Sequence, residues 1–137
     1  MIVTRPKPIL GVYEKPFWDH VQNREMRLQR CNNGHIRYPP GPSCPICLST
    51  EFHWEKISGR GKLVSWTVFH RQYFAELPPP YTVVCGALEE GPLIVANFVG
   101  DSVPLKLDIP LRIAYEDSRT KDGKFVIYQW TAVTSRS

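Results

Sequence analysis

The chain has 137 residues, 42% of them hydrophobic and 12% aromatic, enough for one ordinary domain with a real core and too much for wholesale disorder. Its longest apolar run is four or five residues, far short of the roughly 20 that a membrane helix needs. The net charge of +4 invites a phosphate-bearing partner, but 17 basic against 13 acidic residues is no nucleic-acid fingerprint.

Residues 1–11 carry Pro6, Pro8 and Gly11 without periodicity and read as an extended arm or a mobile tail. They hold no basic start, apolar stretch and small-residue cleavage site, so a cytoplasmic protein is expected. Pro16 suits the start of a helix, Asp19 suits its dipole, and Phe17, Trp18 and Val21 recur at helical spacing. One short helix is predicted over 16–24, passing into a strand over 27–31. Further on, the prolines of Pro39-Pro40-Gly41-Pro42 and Pro78-Pro79-Pro80 forbid long helices. The rest reads as β structure: 52–57, 62–71, 81–88, 93–99, 111–115 and 124–132. Glu89-Glu90-Gly91-Pro92 and Lys121-Asp122-Gly123 read as hairpin turns. Five or six short strands at hairpin spacing suggest a small barrel or sandwich.

The cysteines carry the sharpest chemical signal. Cys31-Asn-Asn-Gly-His35 precedes Cys44-Pro-Ile-Cys47, and without a signal peptide closely spaced thiols suggest metal rather than a disulfide. A Cys-x-x-Cys turn carrying proline presents two thiolates to backbone N–H groups, and a second turn completes a tetrahedron. Cys31 lacks a cysteine three residues on, where Gly34 stands. His35 is the nearest replacement, giving Cys31, His35, Cys44 and Cys47 as candidate ligands for a structural Zn²⁺. The alternatives are a degenerate knuckle that holds no metal, a redox dithiol and an iron site. The dithiol lacks its βαβ setting, and the iron site is short of one thiolate.

No catalytic set stands out. His70 ends the strongest strand and reads as a barrel-end histidine. Asp19 and His20 point about 100° apart on a helix. Glu89 and Glu90 read as a solvated turn pair, and Cys85 as a small core residue. The chain is expected to do no chemistry alone.

In order along the chain stand Phe17-Trp18, Leu28-x-Arg30-Cys31, Arg37-Tyr38-Pro39-Pro40, Cys44-Pro-Ile-Cys47, Gly61-Lys-Leu-Val-Ser-Trp-Thr-Val-Phe-His-Arg71, Pro80-Tyr81 and Leu88-Glu-Glu-Gly91. This series resembles the OB-fold proteins with a rubredoxin-like zinc ribbon, long catalogued as a domain of unknown function. The resemblance implies a mainly β chain, a five-stranded OB-fold barrel preceded by a short N-terminal helix and a rubredoxin-like zinc ribbon. The expected division is an extended arm over 1–14, helix and ribbon over 15–58, and barrel over 59–134. Two departures stand out: the first knuckle lacks the usual second cysteine, and Lys106-Leu-Asp-Ile-Pro110 lacks the glycine common before the next strand.

Family members are typically partners of thiolase-superfamily enzymes: thiolases, acyl-CoA synthases or acyl-CoA aldolases. The resemblance therefore implies a hetero-oligomeric accessory subunit that helps bind or channel acyl-CoA thioesters. Phe17, Trp18, Tyr73 and Phe74 are candidates for docking. Arg60, Lys62 and Arg71 are candidates for CoA phosphates, since guanidinium groups chelate phosphate oxygens. A second reading is a single-stranded nucleic-acid binder, with Trp66, Phe69 and Tyr73 as stacking platforms. Acidic residues spread through the same body weigh against it. A third is a composite active site with a partner, in which His70 takes part.

Overall fold

The computed structural model describes residues 3–4, 8, 10–75, 77–100, 104–120 and 123–133. The chain runs β1 (Val3–Thr4), α1 (Glu14–Gln22), β2 (Arg27–Cys31), β3 (Ile36–Arg37), β4 (Phe52–Lys56), β5 (Arg60–Phe69), β6 (Tyr81–Leu88), β7 (Leu93–Asn97), β8 (Pro110–Thr120) and β9 (Gly123–Ala132). No helix among the described residues is long and apolar enough to cross a membrane.

Helix α1 starts two residues earlier than the proline suggested, because Glu14 adds an acid to the first turn, where the dipole favours it. Phe17 and Val21, four residues apart, bury one face, while Lys15 and Asp19 pair 3.1 Å apart on the other. The helix ends where Arg24 takes a left-handed φ of 57° and the Glu25 N–H donates to the His20 carbonyl at 3.2 Å.

A three-stranded sheet, ordered β3-β2-β4 and antiparallel, follows. Its interior is partly polar. The buried Gln29 carboxamide oxygen accepts from Arg37 Nε at 3.0 Å and from the Gly41 N–H at 2.8 Å. The Arg37 guanidinium lies 5.0 Å above the Phe52 ring.

The second sheet is the OB-fold barrel, in which β5 pairs with β6 and β8, β6 with β7, and β8 with β9, all antiparallel. Leu63, Val84, Leu88, Ile94, Leu111 and Trp130 fill its interior. The ring stays open at β7 and β9, where one parallel bridge, Phe98 to Trp130, and the Val99 N–H to Trp130 carbonyl bond at 2.9 Å stand in for a ladder. Val3–Thr4 adds to the outside of β8 as a short parallel strand, so part of the predicted arm is sheet. The glycine missing before β8 is replaced by Asp108, which takes φ 68°, a left-handed backbone that Asp tolerates better than most residues.

One hydrophobic core runs through both sheets. Phe17 meets Tyr128 edge-on at 5.6 Å, and Trp18 lies 5.2 Å from Tyr128 and 5.3 Å from Phe125. The Gln22 carboxamide donates to the Val126 carbonyl at 3.0 Å and accepts from its N–H at 2.8 Å, so a side chain pairs with β9 as another strand would.

Trp130 sets the tightest packing. Its Nε1 donates to the Ile94 carbonyl at 2.9 Å, and a Cβ built on Gly86 would fall 2.6 Å from its ring. Gly86→Ala should therefore destabilise the fold by about 1–3 kcal/mol, as overpacking does in a dense core. The check is urea unfolding, where the midpoint falls while the slope is unchanged.

Candidate functional site

The first knuckle is a tight turn off the end of β2. The Cys31 N–H donates to the His35 carbonyl at 2.9 Å and Gly34 supplies φ 90°, a backbone that suits glycine. The turn brings the His35 N–H to 3.4 Å from Cys31 Sγ. In the second knuckle the N–H groups of Ile46 and Cys47 approach Cys44 Sγ at 3.4 and 3.5 Å. Ser49 Oγ donates to Asn32 Oδ1 at 2.7 Å and ties the knuckles together, while the Cys44 N–H donates to the Ser49 carbonyl at 2.9 Å and closes the second knuckle on itself.

The donor atoms of Cys31, His35, Cys44 and Cys47 all lie within 4.8 Å of one another. A tetrahedron with Zn–S of about 2.3 Å and Zn–N of about 2.0 Å has S···S edges of about 3.8 Å and N···S edges of about 3.5 Å. Cys31 and Cys47 Sγ are 3.7 Å apart, and His35 Nδ1 is 3.5 Å from both Cys31 and Cys44 Sγ. The chemistry of the donors agrees with these edges. The Asn33 amide, the backbone at Ser49 and His35 hold the Cys47 thiol down at about 6. Burial pushes the Cys44 thiol up, but the N–H groups of Cys47 and Ile46 outweigh it and leave it lowered. Hydrogen bonds to Cys47 and Cys44 raise His35. Thiolate character and converging backbone N–H groups are what a zinc ribbon needs, and the residues fit a structural Zn²⁺.

The other predicted residues fall in scattered places. Phe17 is buried and Trp18 packs against β9, so these two aromatics are core and not docking groups. Tyr73 and Phe74 are 59% and 51% exposed. Trp66, 41% exposed, sits opposite Val84, and Val68 sits opposite Thr82. Cross-strand partners share a face, so these two extend the barrel's inner surface past Lys62, where the β5–β8 ladder ends. Val68 was not foreseen there, because the bulge between Leu63 and Ser65 resets the alternation inside an unbroken β-branched run. Phe69 stacks on Tyr81 at 5.1 Å behind this edge.

His70 is exposed just beyond β5, and Cys85 is half-buried on the face of β6 opposite the buried Val84 and Gly86. His20 is lowered, first by burial and then by Arg27, and its ring lies 5.5 Å from Trp54 while Asp19 pairs with Lys15. Glu89 and Glu90 do more than face water. Glu89 grips Arg60 with both oxygens at 3.0 Å, and Glu90 accepts from the Ser58 N–H at 2.7 Å. Arg60 and Lys62 line one groove of about 450 Å³ beside Leu88 and Leu111. Arg71 lies past the other end of β5, about 30 Å away by strand rise, with its guanidinium 5.7 Å above Tyr73.

Comparison with known proteins places this architecture. The rubredoxin-like zinc ribbon domain of ChsH2 matches residues 18–53, and the C-terminal OB-fold domain of ChsH2 matches residues 54–116. A DUF35 domain-containing scaffold protein of Methanocaldococcus jannaschii is 32% identical over 109 residues, 77% of each chain. The chain belongs to the DUF35 family. A second DUF35 scaffold protein, from Pyrococcus furiosus, is 34% identical over 83 residues, 59% of this chain and 61% of that one. The 3-oxo-4,17-pregnadiene-20-carboxyl-CoA hydratase alpha subunit of Mycobacterium tuberculosis is 31% identical over 102 residues, 74% of this chain and 33% of its own. The matches thus span about three-fifths of the Pyrococcus relative and a third of the mycobacterial one. Among solved structures, the Ltp2-ChsH2(DUF35) aldolase superposes with a TM-score of 0.82 over 93% of this chain and all of that one, at 23% identity. That likeness concerns the fold. With the ribbon and barrel of a DUF35 protein established, the cysteine–histidine cluster is a structural zinc centre.

Cys44→Ser should abolish zinc binding and His35→Ala should lower it from about one ion per chain, as metal analysis of the purified protein would show. Above pH of about 6 the Cys47 thiolate is already formed and ligation costs no proton there. Below it a proton must leave, so apparent zinc affinity should fall as the pH drops, measured by competition with a chromogenic chelator.

Proposed function

We propose that this chain is a non-catalytic accessory subunit that assembles with a thiolase-superfamily enzyme (thiolase, acyl-CoA synthase or acyl-CoA aldolase) and helps bind or channel acyl-CoA thioesters. The observation that carries this reading is the unpartnered end of the β5–β6 hairpin, where Trp66, Val68, Tyr73 and Phe74 leave large apolar surface in water. Aromatic surface of this kind anchors protein interfaces when it is desolvated. Relatives named as scaffold proteins and as the alpha subunit of an acyl-CoA hydratase support the assignment to an assembly, and the name of the steroid-like hydratase substrate supports lipid or steroid metabolism.

In this reading Cys31, His35, Cys44 and Cys47 ligate one Zn²⁺ that stiffens the ribbon, and residues 1–14, 15–58 and 59–134 act as arm, ribbon unit and barrel. Arg60 and Lys62 would meet a CoA phosphate, with Arg71 serving the hairpin end. Four cysteines with no disulfide among them suit a reducing, cytoplasmic setting.

The tagged chain, purified from its native host, should bring down a thiolase-superfamily protein identified by mass spectrometry. Tyr73→Asp with Phe74→Asp should weaken that association at least tenfold, by loss of a hot spot, while leaving the melting temperature within a few degrees. Recovery of no such enzyme would overturn the proposal, as would tight, salt-sensitive binding of a single-stranded oligonucleotide.

A further inference from the structure

The corner where ribbon meets barrel encloses a cleft of about 460 Å³. Met26, Ile57 and Ile113 give it a buried apolar floor, and Arg24, Lys56, Arg60 and Arg112 give it a cationic rim. Glu25 is the one carboxylate in the lining, and it is taken up by Arg27 at 2.7 Å. Arg24 is anchored to the Tyr115 carbonyl and to Asp117, and Arg60 to Glu89. Neither the Lys56 ammonium nor the Arg112 guanidinium makes a hydrogen bond or ion pair with any described residue.

The register makes this arrangement unusual. On the ribbon sheet Arg27 stands directly opposite Lys56, and on the barrel sheet Arg60 stands directly opposite Arg112. Like charges in directly opposed positions destabilise a sheet, so a surface under no other demand pairs opposite signs there. Here the pair Arg60 and Arg112 from one sheet and Lys56 from the other line one cleft, while Arg27 lies outside the lining on Glu25. The corner is also fixed: Glu90 accepts from the Ser58 N–H at 2.7 Å, Ser58 Oγ accepts from the Arg60 N–H at 3.1 Å, and the Ile113 N–H donates to the Gly59 carbonyl at 2.7 Å. With Glu25, Asp117 and Glu89 each engaged by an arginine, Lys56 and Arg112 leave an excess of positive charge on a low-dielectric wall, and that excess acts on whatever enters.

The geometry points to a binding site for a phosphate-bearing small molecule, with Lys56 and Arg112 as its two free cations and Arg24 and Arg60 steering the anion from the rim. The volume falls within the range of small-molecule sites, and the apolar floor suits a ligand with an aromatic or aliphatic body beside its phosphates. A phosphorylated nucleotide such as the phosphate-rich end of coenzyme A has that make-up. The choice of coenzyme A rests on the acyl-CoA reading above; the anion site does not.

The test is calorimetric titration of the zinc-loaded full chain with coenzyme A, with pantetheine and with inorganic pyrophosphate. Coenzyme A should bind, pyrophosphate should compete with it, and pantetheine should not bind measurably. Lys56→Ala with Arg112→Ala should weaken coenzyme A at least tenfold, while Arg71→Ala, at the other end of β5, changes it less than twofold. Without ligand the double variant should melt at or above the temperature of the natural chain, because a repulsion has been removed. A coenzyme A affinity unchanged in the double variant, no binding by the natural chain, equal binding of pantetheine, or a single-stranded oligonucleotide binding more tightly than coenzyme A would each overturn the inference. Partner capture by the same double variant separates the two readings. An unchanged coenzyme A affinity with the thiolase-superfamily partner retained removes the cleft and leaves the scaffold role standing. Capture of no such partner by either protein removes the scaffold role, and the titration still decides the cleft.

Discussion

The barrel depends on the accommodation of one indole. Trp130 is fully buried, and the backbone gives way to it: a Cβ at Gly86 would meet its ring at 2.6 Å, and one at Gly61 would come within 3.1 Å of the ring and 2.5 Å of the Ala87 carbonyl. Its N–H is satisfied by the Ile94 carbonyl of β7, and its own backbone carries the bridge to Phe98. One residue therefore fills the interior, satisfies its polar atom and supplies the contact that joins β7 to β9. A barrel closed by a full ladder would spread that work over a strand. Here it is concentrated in a side chain, so small residues at positions 61 and 86 are a condition of the fold.

The same strand holds the ribbon in place. β9 receives Phe17 and Trp18 on its rings and Gln22 on its backbone, while the Met26 N–H donates to the Tyr115 hydroxyl at 2.7 Å. The base of the ribbon is thus part of the barrel's core. Its tip is different, because the Gln29–Arg37–Gly41 network leaves little apolar surface to bury there. Zinc at the knuckles and shared hydrophobic packing at the base act at opposite ends of the small sheet. Loss of the metal should loosen the knuckles first, since the base keeps its packing.

Much of this was legible from the chain. The strands at 27–31 and 81–88 end where their residue patterns end, and Cys44-Pro-Ile-Cys47 announces its knuckle by itself. His35 stood out only because a cysteine was missing, and the turn through Gly34 explains how it reaches. The misses share a physical cause: they depend on partners far along the chain. Two-residue strands such as β1 and β3 exist only through the strand beside them. Phe17 and Trp18 look the same in sequence as Tyr73 and Phe74, yet β9, over 100 residues away, buries the first pair and nothing described covers the second. The two acids of the β6–β7 turn read as solvated, but register sets one against Arg60 and the other against Ser58. The charge crowding at the ribbon–barrel corner is likewise a fact of register, since Arg60 and Arg112 are 52 positions apart and meet only when β5 and β8 pair.

Two costs are left standing in the isolated chain. At one end of β5, aromatic surface remains in water; at the other, cations face cations across two ladders. Both could be reduced by a few substitutions without disturbing the core, because none of the side chains concerned is buried. A protein selected for stability alone has no reason to keep them. Hydrophobic surface is relieved by another protein and crowded cations by an anion, so the two ends ask for different occupants. About 30 Å of strand separates them, too far for one small ligand to bridge. A partner seated on the hairpin end must therefore extend along β5 if it is to share a ligand with the corner cleft, and a long strand whose β8 side is unpaired beyond Leu63 among the described residues leaves room for that course.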